Sequence, residues 1–238
     1  MNLAIITVRR SPDYLYPSLL SLFTSGGFPG PAHLFVGSDD AEYLDLLHGN
    51  PRLTVHPMPA GDWAAIADWP VMRRFSYNYW RCLDHFAARG EGVCLCEDDV
   101  VYAEGFWGRL AEAVAEADAS LGEYVLALYS YWDFGADPGL ARGRHLAAYP
   151  AASFFGTQAV YYTPGAAAAH AAHLRDRGLG DSQTPGDHVI RDLCVARQDL
   201  YVTRASLVQH VGRVSTGLGY FHASPSFGRA GAAPREGE

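Results

Sequence analysis

Three consecutive carboxylates, Glu97, Asp98 and Asp99, interrupt an apolar run that begins Val93-Cys94-Leu95-Cys96 and resumes with Val100 and Val101. Uncompensated, charges of this density cannot sit in a core. A short apolar run after Gly90 and Gly92 reads as a buried strand, and ligands of open α/β sheets are held at the carboxyl ends of such strands. Hard divalent cations take oxygen ligands, and Mg²⁺ is usually held by one or two carboxylates together with substrate phosphates. The expected chemistry is a metal–diphosphate site at Asp99. The competing reading is a solvated turn or the N-terminal cap of the next helix, where acidic side chains satisfy orphan amides.

A site of this kind needs a sheet, and the chain in order supplies one. Leu3 to Val8 reads as the first buried strand of a parallel sheet. Thr7, Val8, Arg9 and Arg10 stand at its carboxyl end, where a nucleotide phosphate or base would be met; two solvated arginines are the alternative for Arg9 and Arg10. Ser11 and Pro12 read as the cap and first position of a helix that Leu15, Leu19, Leu22 and Phe23 continue and Gly26-Gly27 stops. His33 to Gly37, a helix over Asp40 to Leu47, and Leu53 to His56 extend a β-α-β-α-β order, as in a doubly wound sheet. Residues 57–70, with Trp63 and Trp69 among prolines, read as a loop near the sheet edge.

The helical period returns from Val71 to Ala88, with Arg74, Asn78, Arg81 and His85 forming a polar stripe opposite the apolar face. Solvent accounts for most such stripes. Because this helix feeds the acidic triplet, its N-terminal half, with Arg74 and Asn78, is a candidate to reach a cofactor. A helix over Glu104 to Asp118 and a strand over Tyr124 to Tyr129 follow, then a loose loop from Ser130 to Gly143. Tyr129, Tyr131, Trp132 and Phe134 there suit sugar stacking, or merely a tethered loop. SFFGTQAVYYTP at 153–164 reads as a glycine turn and a strand, and an Ala-rich helix places His170 and His173 at exposed positions. Thr184 caps the last helix, and Asp187 in its first turn complements exposed amides. His210 interrupts the apolar stretch 207–212; a lone His there is usually a satisfied core residue. The chain from Ala223 to 238 is small and polar and reads as a disordered tail behind one domain over 1–222.

Bulk properties narrow the function. Of the 238 residues 49% are apolar and 18% charged, enough for a substantial core, and the net charge of −8 argues against a nucleic-acid binder with a basic surface. No run of about 18 apolar residues occurs and the N-terminus lacks a signal-peptide pattern, so the expectation is a cytoplasmic protein without a membrane span. The four cysteines, Cys82, Cys94, Cys96 and Cys194, read as buried reduced thiols.

Four stretches carry a family resemblance: ITVRR with YLYPSLLSL at 6–22, NYWRCLDHF leading to CEDDVV at 78–101, FFGTQAVYY at 154–162, and SLVQHVGRVST at 206–216. In this order they resemble inverting nucleotide-sugar glycosyltransferases of the GT-A fold, most closely the N-acetylglucosaminyltransferase IV family that branches N-glycans. The resemblance implies an α/β fold with a mixed, mostly parallel Rossmann-like sheet and helices on both faces. It also implies a hexosyltransferase that uses Mn²⁺ or Mg²⁺ and a uridine diphosphate (UDP) sugar, with N-acetylglucosamine the favoured sugar. Asp99 and His210 would be the metal ligands, and Glu97 and Asp98 would face ribose and sugar. Gly156, Thr157 and Gln158 would border donor and acceptor. Asp187 would be the catalytic base, with Asp133 and Asp181 in reserve. Eukaryotic members carry a membrane anchor, a stem and a further C-terminal region that are not read here, so the N-glycan acceptor is not carried over; a glycan, a peptide or a small molecule fits equally. A nucleotidyltransferase on the same metal–nucleotide site and a non-catalytic sugar- or nucleotide-binding module are the alternatives.

Overall fold

The computed structural model describes residues 1–180, 184–213 and 221–229. Side chains alternate across a strand, and in β1 (Asn2–Thr7) that alternation sorts the interior into two faces: Leu3 and Ile5 join one apolar cluster, Ala4 and Ile6 the other. β4 (Val93–Glu97) repeats the pattern, with Cys94 and Cys96 on the first face and Val93 and Leu95 on the second. The two thiols therefore point the same way, Sγ to Sγ 3.8 Å, and all four cysteines are buried and free.

β1 lies parallel between β2 (Ala32–Val36) and β4, and β2 is parallel to β3 (Leu53–His56). The other half is mixed. β8 (Ala159–Tyr162) runs antiparallel between β4 and β6 (Val125–Ala127), β6 is parallel to β9 (Leu200–Thr203), and β7 (Leu146–Ala148) closes the edge antiparallel to β9. Among the described residues this gives one eight-stranded sheet, in the order β3-β2-β1-β4-β8-β6-β9-β7, and a separate antiparallel ribbon of β5 (Val100–Tyr102) with β10 (Val208–His210). α1 (Leu15–Phe23), α2 (Ala41–His48) and α5 (Phe106–Asp118) bury Leu22, Tyr43 and Leu110 on the first face. α4 (Val71–Ala87), α6 (Pro164–His173) and α7 (Gly186–Arg197) bury Leu83, Ala167 and Ile190 on the second. The chain thus forms the mixed, mostly parallel α/β sheet with helices on both faces, as one domain.

α4 is the helix that positions the site. Tyr79, Cys82, Leu83 and Phe86 recur three and four residues apart and are buried, and Gly90, at φ 65°, turns the chain out of the helix toward β4. The Tyr79 hydroxyl meets that of Tyr162 at 2.9 Å inside the second cluster. Emptying one such position, as in Leu83→Ala, costs about 2–5 kcal/mol.

Several expectations are corrected. The first helix starts at Leu15 rather than Ser11; Asp13 accepts from the Leu15 amide at 2.9 Å, so an Asx turn, not a Ser-Pro cap, opens it. Residues 57–70 contain α3 (Ala60–Ile66): Pro59 stands just before it, and Pro70 just before α4. Proline ahead of the first turn removes an amide that has no helical partner anyway, so here it marks helix starts. The last helix follows Pro185 for the same reason, and Thr184 is not its cap. His170 is fully buried, not exposed. Residues 221–229 pack onto the domain, Ser224 and Ser226 being buried against Ser206, while 230–238 lie outside the described residues. No helix among the described residues is long and apolar enough to cross a membrane.

Candidate active site

The register of the sheet assembles the site. Ile6 of β1 stands beside Glu97 of β4, so the residues leaving both strands meet, and the Thr7 hydroxyl donates to Asp98 Oδ2 at 2.7 Å. β8 reaches the same place from the opposite direction: the Glu97 amide donates to the Gln158 carbonyl at 2.9 Å, and the Thr157 hydroxyl to Glu97 Oε1 at 2.6 Å. The β5–β10 ribbon sets His210 opposite Val100, and the Val211 amide donates to the Asp99 carbonyl at 2.8 Å. The first turn of α7 brings Asp187, whose Oδ2 accepts the Gly156 amide at 3.2 Å. Gly156 sits at φ 78°, and a Cβ there would collide with the Gln158 side chain, so this turn requires glycine.

All thirteen sequence-predicted site residues line one cavity of about 380 Å³: Thr7, Val8 and Arg9; Arg74 and Asn78; Glu97, Asp98 and Asp99; Gly156, Thr157 and Gln158; Asp187 and His210. They do not all offer free groups to it. Arg9 turns outward to Glu42, 2.7 Å away. The Asn78 amide donates to the Phe35 carbonyl at 2.9 Å and its oxygen accepts from Arg81 at 3.0 Å, tying α4 to β2. Arg74 reaches the Ala67 carbonyl at 3.0 Å. Among the reserves, Asp133 pairs with Arg229 and is not in the cavity wall, and Asp181 lies outside the described residues. Of the loop aromatics, Tyr129 and Phe134 pack inward, against His222 and Tyr149, whereas Tyr131 and Trp132 are exposed, with ring centroids 5.0 Å apart.

Electrostatics separate the three carboxylates. Burial, followed by the charge of Asp99, pushes Glu97 up to about 8. Burial also raises Asp98, to about 6, against the pull of Arg10, which contacts it directly. Burial would raise Asp99 too, but the hydrogen bond and charge of His210, joined by Arg10, outweigh it and hold Asp99 below the usual range. His210 mirrors this: burial pulls it down, and Asp99 more than compensates. Asp99 Oδ2 lies 3.4 Å from His210 Nε2 and 3.1 Å from Arg10 Nη2, while Asp99 Oδ1 is buried with no hydrogen-bond partner. His210 Nδ1 is 3.2 Å from the His222 carbonyl, which can only accept, so Nδ1 carries the proton and Nε2 faces Asp99.

Gly212 and His222 were not singled out from the sequence. A Cβ on Gly212 would run into Asp99 Oδ2 and lie 2.8 Å from His210 Nε2, so its bareness keeps that corner open. The HVG spacing at 210–212 hints at this; nothing in the sequence signals His222.

No protein-family model matches the sequence, and no curated protein matches it significantly. Solved structures resemble its fold. The galactosyltransferase LgtC, in complex with donor and acceptor sugar analogues, superposes with TM-score 0.50 at 13% identity over 85% of this chain and 73% of that one. A putative glucose-1-phosphate thymidylyltransferase from Bacillus anthracis, in complex with a sucrose, gives 0.51 at 10% identity over 88% and 89%. The bifunctional glycosyltransferase WbbM gives 0.50 at 13% identity over 84% of this chain and 38% of that one. At such identities the likeness is one of architecture, and the architecture it establishes is the GT-A, Rossmann-like fold of glycosyltransferases.

Proposed function

We propose that this chain is a metal-dependent glycosyltransferase that moves a sugar from a UDP-sugar to a hydroxyl acceptor with inversion. The observation that carries the reading is Asp99 beside His210, just past the carboxyl end of β4, in the cavity that also collects the other eleven residues expected to hold donor or act as base. The residues fit a divalent cation: Asp99 offers a buried oxygen without a partner, His210 is fixed through Nδ1 in the way metal-bound imidazoles are, and Gly212 leaves room. A mixed oxygen and nitrogen pair is softer than Mg²⁺ prefers, which puts Mn²⁺ ahead of it. When bound, the cation would draw off charge building on the leaving diphosphate, worth several kcal/mol.

The chain's own groups do the rest. Arg10, already in contact with Asp98 and Asp99, and Arg74 on the cavity wall supply positive charge for a diphosphate in a protein of net charge −8. Asp187 takes the proton of the attacking hydroxyl, a contribution of about 10²–10⁴ in rate. Its Oδ2 is aimed by the Gly156 amide and its Oδ1 by the His188 amide, 3.0 Å away. N-acetylglucosamine as the transferred sugar rests on the resemblance of the four motifs to the N-acetylglucosaminyltransferase IV family. The exposed pair Tyr131 and Trp132, with Tyr131 at 6.1 Å from His222 on the cavity wall, suits stacking on a sugar acceptor.

The likeness to a thymidylyltransferase supports a second reading, nucleotidyl transfer on the same cavity. A donor screen by thermal shift with and without Mn²⁺, followed by product analysis, decides: free nucleoside diphosphate and an inverted anomer by NMR support sugar transfer, pyrophosphate supports the alternative, and retained anomeric configuration removes Asp187 as base.

A further inference from the structure

Away from this cavity, three histidines from three separate elements converge where the β2–β3 edge of the sheet meets α4. His56 of β3 is the register partner of Phe35, His33 lies two residues before Phe35 and so on the same face of β2, and His85 comes down from α4. His33 Nδ1 lies 2.9 Å from His56 Nε2; the His56 and His85 rings are 4.6 Å apart and nearly perpendicular. One ring nitrogen from each falls within 4.8 Å of the other two. We propose that His33, His56 and His85 form a second metal site, for a divalent transition ion that prefers imidazole, Zn²⁺ first.

The chemistry of the cluster favours this over a packing role alone. Phe35 stacks on His56 at 4.3 Å and Phe86 abuts His33 at 5.2 Å, so the slot is built for rings, and apolar rings would fill it without leaving polar nitrogens to satisfy. Imidazoles stand there instead, half-buried and therefore within reach of solvent, and among the described residues one hydrogen bond joins the three. Burial, with the neighbouring His and Arg81 and Arg89 charges, pushes His56 down to about 4, and burial lowers His33 and His85 as well, Glu91 opposing; the rings are thus held in the neutral form that binds metal. Three histidines with one open position is an established Zn²⁺ geometry. A cavity of about 370 Å³ borders His56 and His85 and gives an ion a way in, with Asp62 and Asp84 also in its wall. The ion would cross-link the sheet edge to α4, the helix that holds Arg74 against the catalytic cavity.

The test uses the full chain, treated with chelator and carrying Asp99→Ala to silence the other site. The expected result is one equivalent of bound Co²⁺ with the intense visible bands of a tetrahedral ion and no thiolate charge-transfer band. Zn²⁺ at about 100 times its Kd should raise Tm by about 5–10 °C. His85→Gln and His33→Gln, shown to be folded by circular dichroism, should each weaken binding at least about tenfold. The proposal is overturned if the Asp99→Ala chain binds neither ion, if both variants bind as tightly as their parent, or if a thiolate band places the ion at Cys194, beside His170 and Asp199.

Discussion

Two neighbourhoods of this molecule contain a histidine, a carboxylate and an arginine, and they behave in opposite ways. In the cavity, His210 faces Asp99 and its pKa is raised; in the interior, His170 lies near Asp199 and Cys194 and is pushed down to about 3 by burial, with Arg197 adding to it. The difference lies in charge balance. In the cavity one partly buried arginine, Arg10, faces Asp98 and Asp99 together, with Glu97 beside them, so negative charge is left over to hold a proton, or a cation, beside His210. In the interior Arg197 pairs with Asp199 alone, leaving nothing to compensate the desolvation of His170, whose Nδ1 is buried without a partner. Between these two clusters it is the balance of carboxylate against arginine, not the presence of a histidine, that sets the direction in which the imidazole shifts.

The comparison breaks most severely at Asp99. Asp99→Ala removes the excess and a ligand together, and calorimetry should find Mn²⁺-dependent binding of a UDP-sugar abolished; binding that keeps its metal dependence would sink the site as drawn. His210→Ala should behave alike. The next effect is on stability. His170 has its folded pKa below the unfolded 6.5, so below pH 6.5 the unfolded chain takes up a proton the folded one refuses. Stability is therefore complete above that pH and falls toward about pH 3, by roughly 1.4 kcal/mol per pH unit at the steepest from this group. Denaturant titrations across this range should show a shallower slope in His170→Asn, and an unchanged slope would mean that the interior cluster is not dry. Asp187→Asn should keep donor binding while transfer falls by about two orders of magnitude or more; near-normal turnover would move the base elsewhere. The smallest effect is expected from Gly212→Ala, which intrudes between Asp99 and His210 without touching charge: Mn²⁺ affinity should fall roughly tenfold, in line with losses seen when the surroundings of metal ligands are disturbed.

How much of this could be read from the sequence follows from the range of the interactions. β1, β3 and α4 emerge from periodicity because their neighbours in sequence decide them, and β3 matches its expected span, Leu53 to His56. The acidic triplet was legible because three carboxylates against an apolar run admit few placements. What was missed depends on distant partners. β5 and β10 are three residues each and exist only because they pair across more than a hundred positions. The burial of His170 is hidden in an Ala-rich helix with almost no apolar face to read. α3 was obscured by prolines that turned out to precede helices. The Ser206, Ser224 and Ser226 hydroxyls clasp one another, so a stretch whose composition suggested disorder instead closes over the ribbon.

One consequence of Arg10 reaches beyond the reaction. A carboxylate triplet that depended on an incoming ion for neutrality would leave the newly made chain strained whenever manganese was scarce. Because a guanidinium from the neighbouring strand end is already threaded into Asp98 and Asp99, the repulsion within the triplet is eased by the chain itself, before any cation enters.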